Sequence, residues 1–217
     1  CLKEEYQSSL LGGFQEVHTD LEKADRVYQA IRRKISYMDL RRIYKCFLST
    51  VPDKEMILLR YIVLGFHIGS GISKLHGNPD VFAAQEIEKK INVEAERMRQ
   101  FVRFSVMQGD ILYARIEPDH DVLELIGDHF SDRFRSDPFL IHDVRRGKAM
   151  AGYQGKWYIT SFAENDVPEE SEEEKEYQAL WQKYFDHIAI KERKNSNCQR
   201  NFMPLRYRKH LTECQMR

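Results

Sequence analysis

Arginines cluster in three stretches of this sequence, interleaved with aromatic side chains in two of them. Arg97, Arg99 and Arg103 bracket Phe101 and Phe104, Arg145 and Arg146 precede Gly147, and Arg200, Arg206, Arg208 and Lys209 surround Phe202 and Tyr207. Guanidinium groups hold phosphates and aromatic faces take unstacked bases, so this interleaving suits a nucleic-acid backbone with bases beside it. The plain alternative makes the aromatics core and the cations its edge. The nucleic-acid reading names Arg97, Arg99, Phe101, Arg103, Arg145, Arg146, Arg200, Arg206, Tyr207, Arg208 and Lys209, and it requires folding to bring them onto one face.

Glu117-Pro118-Asp119-His120-Asp121 is the densest ionisable run, at a predicted strand-to-helix corner. Carboxylates beside an imidazole suit acid–base work or a metal. With Asp143 of the His142-Asp143 pair, the candidate catalytic set is Glu117, Asp119, His120 and Asp143. The structural alternative makes Asp119 an N-cap, with His120 in the first turn, and Asp143 a carboxylate that binds the Arg145-Arg146 turn. Gly65, Gly69 and Gly71 lack the strand and spacing of a phosphate loop, so they read as close helix packing or a helix end. His67, on the same apolar stretch, reads as a core histidine. No GxSxG elbow and no cluster-binding CxxxCxxC run is present. Cys198, His210 and Cys214 sketch a zinc set without a fourth ligand. No metal and no cofactor is expected.

These residues must be held by helices up to about residue 100 and by a sheet after it. Thr19 and Glu22 match a capping box, Ser36 and Asp39 open a second helix, and Asn78-Pro79 punctuates before another. The nearly all-round apolar stretch from about Asp53 to Ile68 reads as the central core helix. Val81, Ala84, Ile87, Ile91, Ala95 and Met98 mark the buried face of the helix after it. Near Phe101 the period changes to 2. Strands are predicted at 101–106, 111–116, 139–144, 149–153 and 157–162, with a helix from Pro118-Asp119, in the order ββαβββ. Hairpin-length connections make the sheet mostly antiparallel. Glu164 to Glu176 holds eight acidic residues against Lys175 alone and reads as a solvated linker entering an aromatic helix. The expected fold is α+β: an N-terminal helical part (1–100) packed on the sheet part (101–163), closed by C-terminal helices (164–217), in one integrated domain.

Composition sets the bounds. The 217 residues carry 34 basic and 34 acidic side chains, 42% hydrophobic and 31% charged residues, which excludes a uniformly basic binder and fits a folded chain. The apolar run from Met56 to Ile68 is interrupted by Arg60 and His67 and is too short to span a bilayer. Four cysteines without a CxxC pair, and no visible signal peptide, point to reduced thiols and a cytoplasmic, non-membrane protein. A chain that begins with Cys1 is expected to be a fragment lacking an N-terminal segment.

Four segments carry a resemblance. They are Arg97-Met98-Arg99-Gln100-Phe101-Val102-Arg103-Phe104, Tyr113 to Leu123, Pro138 to Gly147, and Arg200 to Tyr207 with Leu211-Thr212-Glu213. In this order they resemble a bacterial family described as a probable DNA metabolism protein associated with a radical-SAM protein. The resemblance implies a radical-SAM partner encoded nearby, and relatives fused to a uracil-DNA-glycosylase-like domain. It carries over no catalytic residue and marks Arg99, Phe101, Arg103, Glu117, Asp119, His120, Asp143, Arg145, Arg206 and Tyr207 as places to look. Arg208 stands where the family commonly has tryptophan. The leading expectation is an accessory module of DNA metabolism or repair that binds nucleic acid. The alternatives are a hydrolase acting on nucleic acid and an interaction scaffold that uses the acidic tract.

Overall fold

A computed structural model describes residues 18–188, 190 and 195–214. Cys1 and the basic residues Lys191, Arg193, Lys194 and Arg217 lie outside the described residues. The chain divides into two compact units, Cys1–Asn92 and Val93–Arg217.

The first unit contains α1 (Leu21–Lys34), α2 (Tyr37–Phe47), α3 (Lys54–Ile68) and the start of α4 (Pro79–Phe101). The starts of α1, α2 and α4 each have a side-chain cap, whereas Asp53 before α3 makes none. Asp20, one residue after the expected Thr19, caps α1 by accepting Lys23 N at 3.0 Å. Ser36 Oγ caps α2 by accepting Asp39 N at 3.0 Å. Asn78 Oδ1 accepts Asp80 N and Val81 N at 3.0 and 3.2 Å, with Pro79 as the first helical residue. The glycines act as the sequence suggested. A Cβ on Gly65 would lie 2.5 Å from Ile35 Cδ1, and Gly69 ends α3 with φ +77°. Within the core, Asp39 accepts bonds from Tyr61 Oη (2.6 Å) and Arg42 Nη1 (2.9 Å), while Arg42 Nε donates to Glu88 (2.6 Å).

Helix α3 is less central than its composition suggested. Leu58, Tyr61 and Gly65 are buried, whereas Met56, Leu59, Val63 and Phe66 are exposed, and so is His67. Hydrophobicity without a moment does not choose a face, and α1 and α2 of this unit meet only part of its circumference. With the 3-10 turn Gly69–Lys74 it forms a continuous apolar helical segment of 21 residues, Lys54–Lys74. By length and composition alone it is long and apolar enough to cross a membrane, a test that the apolar helices of water-soluble folds also pass.

The second unit holds a five-stranded sheet in the order β1-β2-β3-β4-β5. The strands are β1 (Ser105–Met107), β2 (Ile111–Ile116), β3 (Phe139–Asp143), β4 (Lys148–Tyr153) and β5 (Lys156–Ser161). The expected ββαβββ order is present. β2 and β3 are parallel, because α5 (Leu123–Arg133) carries the chain back between them, and the other neighbouring pairs are antiparallel. The strand expected from Phe101 starts later. α4 runs to Phe101, and Val102 N still donates to Met98 O at 3.0 Å. Phe101 and Val102 fit the helical spacing from Met98 as well as they fit alternation, so periodicity could not place this boundary. Phe104 packs edge-on against Phe130, Phe134 and Phe139, with ring centroids 4.7 to 6.5 Å apart.

The acidic tract does more than link. Glu169 O accepts Gln108 N at 2.9 Å and Ser171 N donates to Val106 O at 3.1 Å, so this stretch pairs with the open edge of β1. α6 (Glu172–Ile188) follows, then α7 (Ser196–Phe202) and the 3-10 turn Leu205–His210, which buries Tyr207 before the buried Leu211.

Candidate functional site

One buried carboxylate organises the region. Glu94 of α4, 2% exposed, accepts Asp119 N at Oε1 (2.9 Å) and His120 N at Oε2 (2.7 Å). The Tyr207 hydroxyl donates to Oε1 at 3.1 Å. Helix α4, the β2–α5 loop and the C-terminal 3-10 turn are thereby tied at one residue. Sequence reasoning passed over Glu94, although a signal existed: it lies on the buried Ile87, Ile91, Ala95, Met98 face, where a carboxylate needs partners.

This anchoring decides what Asp119 does. Its backbone N–H is taken by Glu94, and α5 starts only at Leu123 with no side-chain cap. Asp119 is therefore not the expected N-cap. Its carboxylate, 42% exposed, receives Arg145 Nη1 at 3.4 Å on Oδ1 and Arg206 Nη1 on Oδ2. Arg206 also donates to the Tyr207 hydroxyl at 2.7 Å and lies 4.7 Å from that ring's centroid, with Arg97 at 5.9 Å. Phe101 packs 6.0 Å from Tyr207, centroid to centroid.

Arg146 differs from its neighbour Arg145. Its guanidinium donates to Asp143 Oδ2 (2.8 Å), Pro118 O (3.2 Å) and Asp119 O (2.6 Å), clamping the loop to the end of β3. Asp143 is fully buried and is the turn-binding carboxylate that the structural reading expected. Burial raises its pKa, and the Arg146 pair opposes that shift. Glu117 pairs separately, with Lys209 Nζ at 2.5 Å and His210 Nε2 at 3.2 Å. The Lys209 hydrogen bond lowers the Glu117 pKa, while burial lowers that of His210 against the pull of Glu117. Desolvation, then the Glu94 charge, raises that of Tyr207.

The four carboxyl and imidazole candidates thus do not share one reacting position. Glu117, Asp119 and Asp143 each hold different cations, and His120 is positioned through its backbone. The cavity beside them, lined by Phe101, Arg115, Glu117, Arg206, Tyr207 and His210, measures about 20 Å³, room for about one water. The arrangement is a surface of paired charges over a small void. Among the described residues no group of three or more His, Cys, Asp or Glu is placed to hold a metal ion.

The remaining cations lie elsewhere. Arg99 donates to Leu125 O at 2.6 Å and pairs with Glu96. Arg103 donates to Gln100 O at 3.1 Å, Arg200 is exposed on α7, and Arg208 Nε donates to Met203 O at 3.2 Å. Folding therefore joins the hairpin cluster to the C-terminal cluster over Arg97 and Phe101, and leaves Arg99 and Arg103 to other contacts.

A family model described as a domain of unknown function, DUF4130, matches residues 52–213. The chain belongs to the DUF4130 family. The match spans about three quarters of the sequence, takes in Glu94 and every candidate catalytic and nucleic-acid-binding residue, and begins after α1 and α2. No curated protein and no solved structure matches the chain.

Proposed function

We propose that this DUF4130 protein is a cytoplasmic accessory module of DNA metabolism or repair, which binds the nucleic-acid backbone and works beside a radical-SAM or glycosylase-like partner. The observation that carries the binding reading is the pair Arg145 and Arg206. They come from a hairpin turn and from the C-terminal 3-10 turn, and they converge on the exposed carboxylate of Asp119. Two guanidinium groups around one set of anionic oxygens form a phosphate-binding geometry, and Asp119 holds the anion's place until a phosphate displaces it. Arg97 packs on the Tyr207 ring that Arg206 also covers, and Lys209 lies three residues beyond Arg206 on Glu117. The partner reading rests on the four motif segments.

Fluorescence anisotropy against single- and double-stranded DNA at two salt concentrations tests the proposal. Affinity should fall with salt. The double variant Arg145→Ala/Arg206→Ala should weaken binding about tenfold or more and reduce the log–log salt slope by about 1, the loss of one phosphate contact. Asp119→Asn should strengthen binding by removing the competing anion. Affinity that stays flat with salt, or is indifferent to both arginines, refutes the backbone reading. Failure of the radical-SAM neighbour to co-purify with the protein refutes the partner reading.

A further inference from the structure

Polar side chains on one face tie helix α6 to its own unit. Glu174 accepts Val106 N at 3.0 Å, Gln178 Nε2 donates to Ser105 Oγ at 3.2 Å, and Gln182 Nε2 donates to Thr212 O at 3.3 Å. A spacing of four keeps these on one face. The adjoining face carries Tyr177, Leu180, Trp181, Tyr184 and Ile188, between 43% and 66% exposed. It borders a groove of about 470 Å³ whose other wall includes Arg103, Phe104 and Thr212. A contiguous apolar stripe on solvent, beside a polar attachment, marks an interaction surface.

The charges along α6 select the occupant. Glu172, Glu173 and Glu176 outnumber Lys175 at the exposed N-terminal end, and Lys183 and His187 are exposed towards the C-terminal end. A second α6 laid parallel would bring the acidic ends together. Laid antiparallel about a two-fold axis, the stripe meets itself. Tyr177 then lies over the partner's Ile188 and Trp181 over the partner's Tyr184, because these two pairs share one midpoint along the helix, and Glu176 comes within two residues, about 3 Å along the axis, of the partner's His187 on the same flank. We propose that this face of α6 forms a two-fold, antiparallel homodimer interface. The stripe is about 17 Å long at 1.5 Å per residue, shorter than a standard interface requires, so the dimer dissociates in the micromolar range.

Sedimentation velocity of the full chain from about 1 to about 200 µM should show concentration-dependent doubling of mass. Leu180→Glu/Tyr184→Glu should raise the dissociation constant at least about tenfold, with an unchanged circular dichroism spectrum. His187→Lys sets a full positive charge beside the partner's Glu176 and should tighten the dimer about threefold, and adding Glu176→Lys should undo the gain. A monomer at every concentration, a dimer indifferent to the Leu180 and Tyr184 changes, or weakening by His187→Lys overturns the proposal. The first of these, combined with capture of a basic amphipathic peptide, would assign the stripe to another protein.

Discussion

Arg145 and Arg146 are adjacent and identical in type, yet the fold gives them opposite duties. Arg146 neutralises the buried Asp143 and clamps the Pro118–Asp119 carbonyls, whereas Arg145 reaches an exposed carboxylate. Removing one partner of a buried ion pair leaves an uncompensated charge. Arg146→Ala is therefore expected to cost about 3 to 5 kcal/mol of stability in urea unfolding. Arg145→Ala should stay within about 0.5 kcal/mol while weakening DNA binding. Equal effects of the two variants on stability would contradict this division. Residue types at the site were legible in the sequence, since both arginines and Asp119 stood out there. Which arginine was structural was not legible, because it depends on the burial of Asp143, a residue that β3 places.

Among the elements, β1 is the most exposed to failure. It has three residues, and its open edge is covered by the acidic tract. Glu174 is the buried member of that tract and satisfies Val106 N. Glu174→Ala should cost about 1 to 3 kcal/mol through the orphaned N–H, and hydrogen exchange at Val106 and Ser171 should quicken together. Exchange unchanged at both amides would show that the tract does not close the edge. The succession of strands along the chain, the hairpins and the helix between β2 and β3 were readable from periodicity and turn residues. The later start of β1 and the pairing role of the acidic tract were not. Both depend on contacts between segments distant in sequence, and a charged stretch has no apolar pattern to betray a strand partner.

Across the whole molecule, buried ionisable groups set an acid response. His142 is buried, with the Tyr113 hydroxyl 2.9 Å from Nδ1, and burial lowers its pKa from the ordinary 6.5. As pH falls below about 6.5 the unfolded chain takes up this proton first, so stability declines until the folded value is reached. His210 shifts in the same direction. Asp143 has the opposite sign. Its pKa is raised from 3.8, so the folded chain binds that proton first, and acidification through the window just above 3.8 restores part of the loss. Urea unfolding at pH 7.5, 5.5 and 4.5 should show stability falling between the first two values. His142→Gln should lessen that fall, and an identical fall in the variant would remove His142 as a cause.

Local patterns in the chain sufficed for the α+β class, the succession of strands and helix along the chain, the helix starts at Ser36 and Asn78, the packing role of Gly65, and a chemistry of arginines, aromatics and carboxylates. Each of these is written in local signals: spacing, caps, turns and side-chain type. Tertiary structure alone decided that Arg145 and Arg206 share Asp119, that Glu94 anchors the loop, that Asp143 is occupied by Arg146, and that α6 turns its aromatic stripe outward. Those outcomes depend on where distant segments meet and on which groups lose water there, and no local pattern encodes either.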